Sequence, residues 1–254
     1  MTHRPPGDDW WQAPDGTWYP PESHPARPGG DGPKSDEGEA RHPVLATTRW
    51  LGAAFLTAAA LAPVAAVALW AESTAFDPSR IRTAAGVGEA LGAAGLMLTA
   101  WSVAAAASGV LMVVWLFRAI RATEPFGASG TTWSPGWAVG AWFIPGANLI
   151  IPKLVVNQID RVTHPDSGTP PVGDRWRRAS LLPSGHWWWG AFVVSSLCLA
   201  LGLTMVLEQL EAPVPMEAPY RDGLRLAAAG LALHGGSSLA GAGMARTIAG
   251  RFSS

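Results

Sequence analysis

Four stretches of this chain carry no charged residue, and each exceeds the roughly 18 apolar residues that mark a membrane-crossing helix. They run from Trp50 to Ala71, Ala90 to Phe117, Ala179 to Leu207 and Leu226 to Ala245, each ending against Arg or Glu. Lipid offers no partner to an open backbone, so helix is the expected conformation. Pro183, Ser184 and Gly185 read as a helix start, which places the third span at about 186–207. Pro63 should kink the first. The expected fold class is an all-α membrane protein: a bundle of four transmembrane helices at about 50–71, 90–117, 186–207 and 226–245, within a domain covering 49–252.

A fifth apolar segment, 134–162, does not read as a plain span. Its charge-free part, 131–152, is long enough to cross, yet Pro145-Gly146 breaks it in the middle. Ser134-Pro135 opens one helix and Pro152 sits in the first turn of another. In the second piece Ile151, Leu154, Val155 and Ile159 share a face, while Lys153, Asn157, Asp160 and Arg161 lie elsewhere. Short cytoplasmic loops are enriched in Arg and Lys, which discriminates between the two topologies. If 134–162 does not cross, fourteen basic residues fall on one side and four on the other; if it crosses, the split is nine against nine. Four spans are expected, with both termini cytoplasmic and 134–162 a broken re-entrant or interfacial helical segment. Tryptophan agrees: Trp50, Trp115, Trp133, Trp137, Trp142, Trp176 and Trp187–Trp189 all fall near the cytoplasmic face, where a ring and its N–H are both accommodated.

Residues 1–48 are polar and proline-rich and lack apolar periodicity, so they are expected to form a disordered cytoplasmic tail with no cleaved signal peptide. Within it, residues 8–22 read D-D-W-W-Q-A-P-D-G-T-W-Y-P-P-E. Asp15-Gly16 is a turn signal that a short hairpin would use to pair the flanking aromatics. Trp10, Trp11, Trp18 and Tyr19 are therefore candidates for binding a cytoplasmic protein partner or the bilayer; the other reading is a weakly structured tail.

The stretch W-S-P-G-W-A-V-G-A-W-F-I-P-G-A-N-L-I-I-P-K-L-V-V follows W-L-F-R-A-I-R and precedes a span opening with W-W-W. Together these resemble the actinobacterial membrane family catalogued as domain of unknown function 4328, over roughly residues 50–250. After Arg121 this chain has Ala122-Thr123-Glu124 where members often carry an Asn. The Trp-rich island resembles a short N-terminal module of actinobacterial membrane proteins. The resemblance implies a multi-pass protein of the bacterial plasma membrane and implies no activity.

Chemistry has few places to sit. A lone cysteine, Cys198, excludes an intramolecular disulfide and a cysteine metal site. No metal, cofactor or catalytic constellation is expected, and the net charge of −1 gives no pull toward nucleic acid. His234 lies mid-span beside Gly235-Gly236 and would relay protons, bind a ligand or simply bond a neighbouring helix. His186 opens the third span. No acidic residue lies within a span to pair with either, which argues against an enzyme. Asn148 and Asn157 beside the broken helix are candidates for a pocket, as are Arg118 and Arg121 for headgroups or an anionic ligand. The glycine pairs Gly88/Gly92 and Gly136/Gly140 have the spacing of close helix packing. The leading expectation is a non-enzymatic scaffold, sensor or partner-recruiting membrane protein whose partners are the bilayer and a cytoplasmic protein. The second is a small transporter or channel with its site at the broken helix. An intramembrane enzyme ranks last.

Overall fold

The computed structural model describes residues 10–12, 18–19, 36–83, 91–167 and 174–252. The Asp15-Gly16 turn, Gly88, the start of the second expected span and most of the proline-rich tail lie outside the described residues. Two strands, β1 (Trp11–Gln12) and β2 (Trp18–Tyr19), pair antiparallel with Trp11 opposite Tyr19 and Gln12 opposite Trp18.

The fold is otherwise helical. α1 (Asp36–Glu72) begins inside what the composition assigns to the tail, and the helix continues through Pro43 and Pro63. The tail boundary expected at residue 48 is thus corrected: residues 36–48 belong to the first helix. The reason lies in its contacts, because Val44 is fully buried and Thr48 accepts a 2.8 Å hydrogen bond from the indole of Trp115. A short α2 (Pro78–Thr83) follows, capped by Asp77, whose carboxylate accepts from the Ser79 hydroxyl and from the amides of Ser79 and Arg80. Those bonds, the Ser79 hydroxyl first, hold the Asp77 carboxyl below the usual carboxylate range. Then come α3 (Ala93–Arg121), α4 (Pro135–Gly140), α5 (Ile151–Val162), α6 (Pro183–Glu211) and α7 (Glu217–Gly250).

The long helices run antiparallel to their neighbours. Trp115 of α3 meets Thr48 of α1, and Gly235 of α7 sits by Ala62 of α1 while Arg246 reaches Gly52. Along α6 and α7, Gly202 meets Gly223 and Ser237 donates to the carbonyl of Trp188. α7 is therefore the middle helix, packed on one side by α1 and on the other by α6.

Three helices, at Pro43–Glu72, Ala93–Phe126 and Pro183–Glu211, are long and apolar enough to cross a membrane. Their outward faces are apolar as well: Val67, Leu96, Val103, Val110 and Leu201 are all at least 60% exposed. Exposed hydroxyls on these faces do not contradict this, since Thr57, Ser102, Ser196 and Thr204 each donate to the carbonyl four residues back in their own helix. An apolar outside around an apolar inside is the arrangement that lipid, not water, solvates.

Backbone contact between α6 and α7 sets the bundle's tightest spacing. A Cβ on Gly202 would stand 2.5 Å from the Gly223 carbonyl oxygen and 2.6 Å from the Ala227 nitrogen. Without a hydrophobic drive between helices in lipid, such close packing is what holds them together. Of the glycines expected from spacing, the three described ones do not take this role. Gly92 and Gly140 have nothing within 4 Å of an added Cβ, and Gly136 meets only Ser134. Gly202→Ala should lower stability by about 2 kcal/mol, the scale of overpacking with no room to relax, whereas Gly190→Ala, which meets nothing, should be neutral or stabilising through helix propensity. Thermal midpoints of the two detergent-solubilised variants test the contrast; equal midpoints would refute it.

Candidate functional site

The broken segment is closed at its base by one side chain. Gln158 of α5 is 5% exposed. Its Oε1 accepts from the amides of Thr132 and Trp133, both at 2.9 Å, and its Nε2 donates to the Trp133 carbonyl at 2.9 Å. Residues 132–133 and 158 are thereby adjacent, so the chain between them goes out and comes back. The return is made at Pro145-Gly146, where Gly146 adopts a φ of 80° that a side chain would strain. The turning region carries an exposed apolar tip of Phe143, Ile144, Leu149 and Ile150. Its depth is set by Trp189 of α6, whose indole donates to the Leu149 carbonyl at 3.2 Å and whose ring stacks edge-on to Trp142 at 6.2 Å. At 1.5 Å per residue, Trp189 lies roughly 9 Å into α6.

A second buried group locks α5 to the rest. Asp160, 3% exposed, accepts from the Leu182 amide at 2.7 Å and from Arg251 at 2.8 Å, and its carbonyl accepts from Arg251 as well. This corrects the reading of the helix's faces. Asp160 and Gln158 point inward with Val155, Val156 and Ile159, whereas Leu154 turns outward. Polar side chains win the inner face because they satisfy backbone groups that the break in the helix and the loop into α6 leave open. Nothing in the local sequence pairs Asp160 with an arginine 91 residues later; the one available signal is that Asp160 is the sole carboxylate of its helix.

Two neighbouring cavities share Thr132, Trp133 and Gln158. The larger, about 340 Å³, is lined also by Thr123, Glu124 and Ser134. The smaller, about 250 Å³, is lined by Leu154, Asn157 and Arg161 of α5 and by Trp176 and Arg177. Trp176 is held there by a 3.0 Å bond from its indole to the Ser129 carbonyl, and Arg177 by a 2.7 Å bond to the Gly130 carbonyl. Beside the smaller cavity, the ammonium of Lys153 donates to Asn157 Oδ1 at 2.7 Å. Burial pushes its pKa down to about 8, with the charge of Asp160 acting in the opposite sense.

The five pocket candidates from the sequence do not share one site. Asn157 lines the smaller cavity. Asn148 is half-buried at the tip, its amide bonded to the Ile144 carbonyl. His234 lies elsewhere, edge-on to Trp101 at 5.0 Å and 3.5 Å from the Ser195 hydroxyl, with Phe192 between it and Trp189. Arg118 donates to Thr47 and to the Pro43 carbonyl, tying α3 to the start of α1. Arg121 is exposed over Phe117 of its own helix. In the tail, Trp10 and Trp18 are half-buried and Trp11 and Tyr19 pair through their strands. Sequence reasoning missed Gln158, Asp160, Arg161, Arg177 and Arg251 as a group, because their proximity depends on the return of the broken segment.

Removing Asp160 tests the lock. Asp160→Ala removes the carboxylate that Arg251 and the Leu182 amide share and should cost roughly 3–5 kcal/mol. The double variant with Arg251→Met should recover part of that loss. Unfolding of the detergent-solubilised proteins measures both; strictly additive losses would show that the pair does not couple.

No curated protein and no solved structure matches this chain. The profile of the Domain of unknown function (DUF4328) matches residues 72–249, well over half of the sequence, and the chain belongs to that family.

Proposed function

We propose that this is a non-enzymatic, multi-pass protein of the bacterial plasma membrane that senses or scaffolds at its cytoplasmic end and recruits a protein partner through its Trp-bearing tail. One observation carries the reading. Both cavities, the Gln158 clasp and the Asp160–Arg251 pair collect at the end of the bundle where α1 begins and α7 ends. The tail leads into that same end, so a partner held by Trp10, Trp11, Trp18 and Tyr19 would be brought to it.

Four crossings fit the packing. α7 is less apolar than its neighbours because α1 and α6 cover it, so Ser237, Ser238 and Gly241 replace the large side chains that lipid would favour. The basic residues of 118–178 and the short element between α3 and α6 then lie on the cytoplasmic side. Transport has less support, since Gly202 and Gly223 bring α6 and α7 into backbone contact and His234 stands apart from Asn148.

Topology is checked by labelling intact cells with a membrane-impermeant maleimide in a Cys198→Ser background. Single cysteines at Thr74 and Val214, both exposed, should react, and one at exposed Ser180 should not. Reaction at Ser180 would overturn the arrangement. Recruitment is checked by affinity purification of the full chain from solubilised membranes: Trp10→Ala with Trp18→Ala should lose at least one protein that the parent retains, and an unchanged set would remove the tail from the proposal.

A further inference from the structure

We infer that the smaller cavity is an anion site for a phosphate-bearing headgroup, with α5 as the track along which the lipid's chain leaves it. The inference rests on the preceding reading that 134–162 stays on the cytoplasmic side without crossing the bilayer.

The lining chemistry is one-sided. Arg161 and Arg177 bring two guanidinium groups, and among the described residues no carboxylate lines the cavity. The Asn157 carbonyl oxygen is occupied by Lys153, which leaves its NH₂ as the group to offer. Both polar ends of Gln158 are taken by the backbone of residues 132–133, so it is wall and not ligand. Arg161 keeps a buried Nε with no hydrogen-bond partner among the described residues, which is costly if left so. A planar guanidinium with an unused, desolvated N–H beside a second arginine is the arrangement that takes phosphate oxygens in pairs. Leaving Glu124 to the neighbouring cavity keeps the smaller one free of a competing negative charge.

Size and direction select a headgroup over a whole metabolite. At about 250 Å³ the cavity falls short of the roughly 300–1,000 Å³ typical of sites that enclose small molecules. Leu154, Asn157 and Arg161 of α5 recur at three- and four-residue spacing and lie on one stripe, with Ile150 just before the helix at the stripe's apolar end. Ile150 is 60% exposed and Leu154 38%. The stripe thus passes from the apolar tip to the guanidinium in about 16 Å, the reach from acyl chain to phosphate in one leaflet.

The test uses the full chain purified in neutral detergent and titrated with short-chain phosphatidylglycerol, short-chain phosphatidylcholine and inorganic phosphate, with binding followed by native mass spectrometry and calorimetry. Phosphatidylglycerol should bind most tightly. Arg161→Gln and Arg177→Gln should each weaken it about tenfold, one charge-assisted contact's worth, while exposed Arg121→Gln changes it less than about twofold. Arg161→Lys keeps the charge without the fork and should fall between, which guards against a variant that merely misfolds. Leu154→Gln should weaken the lipid and leave phosphate unaffected. Inorganic phosphate bound as tightly as the lipid, with the same arginine dependence, would keep the anion site and overturn the lipid as its source. Equal affinity for phosphatidylcholine, or indifference to both arginine variants, would overturn the site itself. Because these titrations do not depend on sidedness, a failure here leaves the labelling result standing, and the reverse.

Discussion

A helix that stops at Gly140 and resumes at Ile151 leaves peptide groups that hydrocarbon cannot serve, and the position of residues 134–162 follows from what serves them instead. Gln158 spends both ends of its amide on the backbone of Thr132 and Trp133. Asp160 spends one oxygen on the Leu182 amide and the other on Arg251. These two residues tie the entry and the exit of the segment to one end of the bundle. Once both ends are tied there, α6 must start where α3 stopped. The direction of α6 and α7, and so the whole antiparallel order, depends on it.

α7 shows how a helix can be central and still read as weakly apolar. A surface helix in lipid needs large apolar groups facing outward, but one flanked by α1 and α6 needs small groups facing both. Glycines at 202, 223, 230 and 241 stand where an added Cβ would come within about 3 Å of a neighbour. Phe55 and Trp188 fill the space at Gly241, and Leu199 that at Gly230. Composition alone ranks such a helix below its neighbours, because composition does not record what covers a surface.

The same distinction separates what was legible in the sequence from what was not. Charge-free length locates α1, α3, α6 and α7 to within a few residues of their apolar parts, and Pro145-Gly146 locates the turn of the broken segment. Those signals are local. The helix α1 starts early, at Asp36, because Val44, Thr47 and Thr48 meet α3, a contact about 70 residues distant in the chain that no local polarity reveals. Gly92, Gly136 and Gly140, which spacing suggested, pack against no neighbouring helix, and the glycines that do pack are decided by which helices become neighbours. Asp160 reads as a residue off the apolar face until the return of the chain turns it inward, together with Gln158.

The site follows the same logic one level further. Arg161 follows Asp160 directly, yet the two residues have opposite fates. The Asp160 carboxylate is consumed by Arg251 and the Leu182 amide, while Arg161 has no carboxylate within reach among the described residues. Arg177 arrives from the loop before α6, fastened by its contact with Gly130 and by its neighbour Trp176, itself pinned to Ser129. The acid at 160 therefore does two things at once. It anchors α5, and by being fully engaged with a different arginine it leaves the cations at 161 and 177 uncompensated. A carboxylate oriented the other way would have closed an ion pair across the cavity and left nothing there for a ligand to neutralise. Fold and binding chemistry at this end are thus two consequences of which arginine Asp160 chooses.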